Sequence, residues 1–186
     1  MPAIQEAAAE LGYNLDRMAV SGGSAGGCLA LLFAYRDAAD SPIPVKMVFE
    51  AVGPASFHHE DWTPYGLDRG TAESDAAAAG LFSTMAGTVI TPEMVAANDY
   101  QDAVRGISAY QWVTADSVPT LCAYGAYDRI CLFRPVRHLI AALEENGVPF
   151  DYIEFPHSGH GLQNDDRQAG LYQEKIIEYL ETYLPV

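Results

Sequence analysis

Apolar positions along the chain alternate between two spacings. Residues 3–11 put Ile4, Ala7, Ala8 and Leu11 on one helical face, and Gly12 supplies the stop. Met18-Ala19-Val20-Ser21 reads as a short apolar strand. Gly26 to Tyr35 reads as a helix with Leu29, Leu32 and Phe33 turned inward, and Val45 to Val52 is nearly continuous in apolar character. A run of that kind is expected of a strand covered on both faces. After a long mixed segment, Thr120 to Tyr124 forms another strand pattern. Pro135 opens a helix, and Val136, Leu139, Ile140 and Leu143 keep the i, i+3, i+4, i+7 spacing up to a stop at Gly147. Phe150 to Phe155 is the next strand, and a last helix runs from about Asp166 to Leu184 with Tyr172, Ile176, Leu180 and Tyr183 on its inner face. Strands that alternate with helices predict an α/β fold, a parallel sheet with helices on both faces. In such sheets functional side chains collect just past the carboxyl ends of strands.

Three segments in those places carry chemistry. The first strand runs into Gly22-Gly23-Ser24-Ala25-Gly26 and then a helix, the G-x-S-x-G arrangement. A serine on a sharp strand-to-helix turn projects its hydroxyl clear of the sheet. The closeness of strand and helix calls for small residues two positions before and after it, here Gly22 and Gly26. The helix N-terminus, beginning after Ala25, places positive dipole beside the serine, where an oxyanion would form. The second segment, Tyr124-Gly125-Ala126-Tyr127-Asp128, sets an acid after a strand, where it can orient an imidazole. The third, His157-Ser158-Gly159-His160-Gly161, follows the strand at 150–155. His160, flanked by glycines, suits a tight loop that aims a ring, and His157 competes with it. The expected triad is Ser24, Asp128 and His160, in the chain order Ser, Asp, His of α/β-hydrolases.

Lesser signals remain. Glu50 ends the strand at 45–50 and is a candidate supporting acid or alternative triad member. His58-His59-Glu60-Asp61 resembles a ligand cluster, but adjacent residues on an extended chain point in opposite directions, so no metal is expected there. The stretch from about 54 to 117 exceeds a simple crossover. Its aromatic residues suit either a cap over an acyl pocket or a helical excursion with a small core of its own.

Composition narrows the partners. A chain of 186 residues suffices for one domain with a core. A net charge of −15 repels phosphate backbones and anionic lipid, so neither nucleic acid nor membrane is an expected partner. Cys28, Cys122 and Cys131 are too few and scattered for a disulfide framework or zinc site and read as buried thiols. Met1 to Leu11 has neither the basic start nor the apolar run of a secretory signal, and no stretch is long enough to span a bilayer, so a cytoplasmic location is expected.

Residues 15–27, Leu-Asp-Arg-Met-Ala-Val-Ser-Gly-Gly-Ser-Ala-Gly-Gly, closely resemble the nucleophile segment of serine esterases and lipases of the α/β-hydrolase superfamily. Hormone-sensitive-lipase-like esterases and prolyl-oligopeptidase-like enzymes have similar segments. Gly125 to Asp128 and Ser158 to Gly161 look like the acid and base segments of the same superfamily. The resemblance runs from about residue 3 to the C-terminus. It implies carboxylic ester hydrolysis through an acyl-enzyme, a small-molecule ester substrate and no cofactor. It implies also a truncated α/β-hydrolase fold, since the family's N-terminal strands and their His-Gly-Gly oxyanion motif have no counterpart here. A strand at 18–21 without those neighbours suggests a homo-oligomer or a separate N-terminal half as partner. A prolyl-oligopeptidase-like peptidase and a non-catalytic remnant are the competing readings.

Overall fold

The computed structural model describes residues 1–185. Four parallel strands form one sheet in sequence order: β1 (Met18–Gly23), β2 (Val45–Ala51), β3 (Thr120–Gly125) and β4 (Phe150–Phe155). The register pairs Gly22 with Glu50, Glu50 with Cys122, and Cys122 with Tyr152, so all four carboxyl ends lie along one rim. Helices α1 (Pro2–Glu10), α2 (Ala25–Leu32), α6 (Phe133–Glu145) and α7 (Asp166–Tyr183) alternate with the strands. Between β2 and β3 lie α3 (Ala72–Ala86), α4 (Pro92–Ala96) and α5 (Gln101–Val104), joined by single helical turns.

Side-chain alternation along each strand decides which face is filled by what. Val48 of β2 points into a core shared with Leu31 of α2 and Leu139 and Leu143 of α6. Met47 of β2, with Leu121 and Ala123 of β3, points the other way, against Tyr179 of α7. The expected parallel sheet with helices on both faces is what forms.

The excursion after β2 departs from one of its two expected forms. Phe57, Trp62, Phe82 and Tyr100 stack on one another, with ring centroids 5.2–5.9 Å apart. These rings belong to the same buried cluster as Leu31 and Val48, so the excursion has no separate core. Its aromatic residues extend the main one.

Of two inward faces expected from periodicity, that of α2 is inward at Leu32 and partly at Phe33 but not at Leu29, and that of α1 is not inward. Leu29 is 67% exposed, while Cys28, Leu31 and Leu32 are buried. The buried stripe of α2 is rotated by one position because Leu29 lines an open cavity rather than the core. The helix is also shorter than expected and passes into a wider turn at Phe33–Asp37. In α1 no residue is buried, and Ile4 and Leu11 are 56% and 75% exposed. Beside it in sequence, β1 pairs only with β2 among the described residues. Helix α6 begins two residues earlier than expected, with Pro135 in its first turn, where the missing N–H has no intrahelical acceptor to lose.

No helix among the described residues is long and apolar enough to cross a membrane. The three cysteines are free and buried.

The rotated stripe of α2 has a measurable consequence. Leu139→Ala, at a site with no solvent exposure, should cost about 2–5 kcal/mol of stability. Leu29→Ala, on the same sheet face but exposed, should stay within about 0.5 kcal/mol of the parent. Urea denaturation of the two variants checks this, and equal losses would put Leu29 back in the core.

Candidate active site

Ser24 sits between β1 and α2 with φ 55° and ψ −126°, a backbone region that non-glycine residues seldom occupy. Local bonds hold it there. Its N–H donates to the Ala51 carbonyl at the end of β2 (2.9 Å), and its carbonyl accepts the Cys28 N–H (3.1 Å), which starts α2. The turn is tight enough to forbid a side chain at Gly22, where a Cβ would stand 2.1 Å from the Gly26 carbonyl oxygen. The second steric constraint is one residue from where the spacing put it. A Cβ on Gly26 would meet nothing within 4 Å, whereas one on Gly27 would stand 2.9 Å from the Glu50 carboxyl and 3.0 Å from Gly53 Cα. Gly26 contributes its backbone to the contact, not the absence of its side chain.

Asp128 lies in the turn after β3 and is buried. One carboxyl oxygen accepts the N–H groups of Ile130 (2.8 Å) and Cys131 (3.0 Å), and the other faces His160 Nδ1 at 2.8 Å. His160 lies in the loop after β4, and its Nε2 is 2.8 Å from Ser24 Oγ. The structure thus brings Ser24, His160 and Asp128 into one hydrogen-bonded line. A carboxylate only accepts, so Nδ1 carries the ring proton and Nε2 is left to accept the Ser24 proton.

Two features that place the imidazole carried no role in the sequence reading. Gly125 is one: a Cβ there would stand 2.4 Å from the Gly159 carbonyl oxygen and 2.5 Å from that of Ser158. Only glycine lets the base loop lie directly on the end of β3. Asp165 is the other. It accepts hydrogen bonds from Ser158 Oγ (2.6 Å), from the His157 N–H (3.0 Å) and from His157 Nδ1 (2.8 Å). Burial opposes its charge, but these donors outweigh burial and hold the carboxyl below the ordinary aspartate range. His157 is therefore turned toward Asp165 as a loop brace, while His160 faces Ser24.

A cavity of about 440 Å³ opens beside Ser24 and Ala25. Leu29, Leu32, Phe57, Trp62, Leu81 and Met85 supply much of its wall, and no Asp, Glu, Lys, Arg or His lines it. Much of that wall, including Phe57, Trp62, Leu81 and Met85, comes from the excursion after β2.

Glu50 is fully buried beneath the turn and makes no contact with His160. Its Oε2 accepts the Gly53 N–H (2.9 Å), and its Oε1 has no partner among the described residues. Burial pushes its carboxyl up to about 8, against the Tyr124 and Gly53 hydrogen bonds that pull it down. The cluster at 58–61 is divided, as adjacency required. His58 stacks on His138 with centroids 4.8 Å apart and reaches Tyr110 Oη at 2.8 Å, while Asp61 bonds His138 Nε2 at 2.9 Å. No group of three or more His, Cys, Asp or Glu among the described residues is placed to hold a metal ion.

Comparison with known proteins places this geometry in a family context. The model of the prolyl oligopeptidase family matches residues 71–185, the stretch that holds Asp128 and His160. No curated protein sequence matches the chain significantly. Among solved structures, an acetyl ester-xyloside bifunctional hydrolase from Caldicellulosiruptor lactoaceticus superposes with TM-score 0.63 at 20% identity, over 99% of this chain and 63% of that one. An esterase from Thermogutta terrifontis gives 0.66 at 19% identity, over 96% and 59%. The Pyrococcus horikoshii acylaminoacyl peptidase gives 0.66 at 16% identity, over 97% and 26%. The chain thus spans about six-tenths of the two hydrolases' length and a quarter of the peptidase's. At these identities the likeness is one of fold.

The corrected glycine assignment can be tested by stability. Gly22→Ala should lose about 1–3 kcal/mol or more, since the new Cβ would overlap backbone that cannot step aside. Gly26→Ala, in open space on a helix, should hold or gain about 0.5–1 kcal/mol. Thermal melting distinguishes the two, and a larger loss at Gly26 would restore the symmetric reading.

Proposed function

The chain belongs to the prolyl oligopeptidase family and has an α/β-hydrolase fold, and on that premise we propose that it hydrolyses carboxylic esters through an acyl-enzyme. The observation that carries the reading is the line Ser24 Oγ–His160 Nε2, His160 Nδ1–Asp128, with an apolar cavity opening at its serine end. Ser24 Oγ attacks the ester carbonyl carbon as its proton passes to His160 Nε2, and the carbonyl π electrons move to oxygen. Asp128 holds the imidazole in its tautomer and offsets the charge that forms on it. The Ala25 N–H, at the first position of α2, has no intrahelical acceptor and is the oxyanion donor this chain supplies. Collapse of the tetrahedral intermediate breaks the bond to the alcohol oxygen, which takes the proton from His160. Water then repeats the sequence on the acyl-Ser24 ester.

The cavity favours an uncharged apolar acyl group, because no charged side chain lines it. It also favours ester over peptide cleavage, since it offers no charge to hold a peptide terminus. The peptidase reading draws on the family match and on the acylaminoacyl peptidase neighbours. Short p-nitrophenyl esters assayed beside a proline-containing amide decide between them: faster ester turnover supports the proposal, and preference for the amide reverses it.

A fluorophosphonate probe should label Ser24, and Ser24→Ala should abolish both labelling and turnover. Asp128→Asn keeps the shape and removes the charge, and should cut turnover by about 10⁴-fold, as the equivalent change does in a serine protease. Absence of labelling in the parent chain would overturn the catalytic reading.

A further inference from the structure

The buried acid beneath the nucleophile turn takes no part in the triad, and its surroundings are unusual. The Glu50 carboxyl is wedged between two backbone segments. A Cβ placed on Gly27 in the first turn of α2, or on Gly53 after β2, would stand 2.9 Å or 2.8 Å from Oε2. Those are the segments that define Ser24: one begins with its own helix, and the other follows the Ala51 carbonyl that accepts its N–H. The carboxyl receives one conventional hydrogen bond, from Gly53, and Oε1 receives none.

The groups that face it come from every neighbouring element. They are Cys28 of α2, Tyr35 after α2, Cys122 and Tyr124 of β3 and Cys131 after β3, while Tyr172 of α7 donates to the Glu50 main-chain carbonyl (3.0 Å). All are weak acids and none is a cation. A carboxylate sealed among them would be a buried charge without a counter-ion. A carboxylic acid fits. The Tyr124 hydroxyl beside it already donates to the Gly53 carbonyl (2.6 Å), which leaves the phenolic oxygen to accept the Glu50 proton.

We propose that Glu50 is a positioning residue, a proton-bearing strut that spaces the first turn of α2 from the end of β2, and that catalysis fails when this strut ionises. The inference rests on the ester-hydrolase reading only for its catalytic half. Burial pushes Cys28 up to about 11 and Cys131 to about 12, and raises Cys122 and Tyr124 further still. Glu50, at about 8, is therefore the member of this cluster that changes charge in the neutral to mildly alkaline range. Its anion would lie against the helical turn whose Ala25 N–H meets the oxyanion, in a medium too dry to screen it.

The test compares the parent chain with Glu50→Gln, which keeps the shape and cannot ionise. Fluorophosphonate labelling and ester turnover are followed against pH, and infrared spectra and melting temperatures are recorded on the same samples. In the parent, labelling and turnover should fall with an apparent pKa near 8, by about tenfold or more. Glu50→Gln should keep the neutral-pH rate and lose the alkaline fall. A fall shared by both proteins, or no fall in the parent, overturns the catalytic half.

The strut has readouts that need no activity. The parent should show a protonated-carboxyl infrared band at neutral pH that vanishes by pH 9 and is absent from Glu50→Gln. A carboxyl raised in the folded state stabilises fully below the ordinary glutamate range, and that contribution is lost as pH rises to about 8. The parent should therefore melt progressively lower relative to Glu50→Gln between about pH 5 and 8. Parallel melting curves without the band overturn the strut. If Glu50→Gln fails to fold, the parent's own infrared difference between pH 6 and 9 decides. A parent that never labels, yet shows the band and the melting shift, refutes the hydrolase reading and the catalytic half but leaves the strut standing.

Discussion

Contact of backbone with backbone, at Gly22 and at Gly125, sets the positions from which Ser24 and His160 meet. At the first, β1 and α2 approach until a single methyl group would overlap the Gly26 carbonyl. At the second, the loop after β4 lies against the end of β3, so that Ser158 and Gly159 carbonyls occupy the space a Cβ would need. The parallel sheet makes both contacts possible, because it delivers the ends of β1, β3 and β4 to one rim. It does not bring them close enough by itself. Strands in a sheet stand nearly 5 Å apart and β2 separates β1 from β3, so the reacting atoms close the remaining distance through loops that collapse onto glycine. The Ser24–His160 distance of 2.8 Å is the outcome of those two approaches.

The two buried acids of the rim differ in their donors rather than in depth. Both are cut off from solvent. Asp128 is met by two backbone N–H groups and an imidazole. Glu50 is met by one N–H, its other oxygen has no partner among the described residues, and burial holds its carboxyl well above the ordinary glutamate range.

Much of this was legible in the sequence, for a physical reason. Strands buried on both faces need mainly apolar runs: Thr120–Tyr124 carries no charged residue and Val45–Val52 only Lys46 and Glu50, while Phe150–Phe155, with Asp151 and Glu154, is less buried. The hydrogen-bonded line of Ser24, His160 and Asp128 was legible because each lies within a few residues of a strand's end, so the local pattern fixes the end of the sheet from which it projects. The unread features depend on segments far apart in the chain. Leu29 has helical spacing suited to the core, but a cavity lies over it, lined in part by residues more than fifty positions away. Gly125 needs no side chain because of a loop thirty residues on. Asp165 looks like an ordinary surface acid before a helix until Ser158 and His157 turn toward it. The expected separate core of the excursion failed similarly. Aromatic spacing shows that Phe57, Trp62, Phe82 and Tyr100 are to be buried, not against what.

That shared core has a consequence for how the cavity beside Ser24 can change. Phe57 and Trp62 are at once walls of the cavity beside Ser24 and members of the cluster that includes Leu31 and Val48. Interiors packed at crystal-like density transmit a change of volume to their neighbours. Enlarging the cavity by trimming either ring would remove atoms from the main core as well, with the cost of a buried aromatic truncation, about 3–5 kcal/mol. Leu29 and Met85 line the same cavity but are exposed and lie outside that cluster, whereas Tyr65, also exposed, packs on Trp62 with centroids 5.6 Å apart. The cavity therefore has an inner wall tied to folding and an outer wall that can vary cheaply. Changes in the cavity's shape are confined by stability to the outer one.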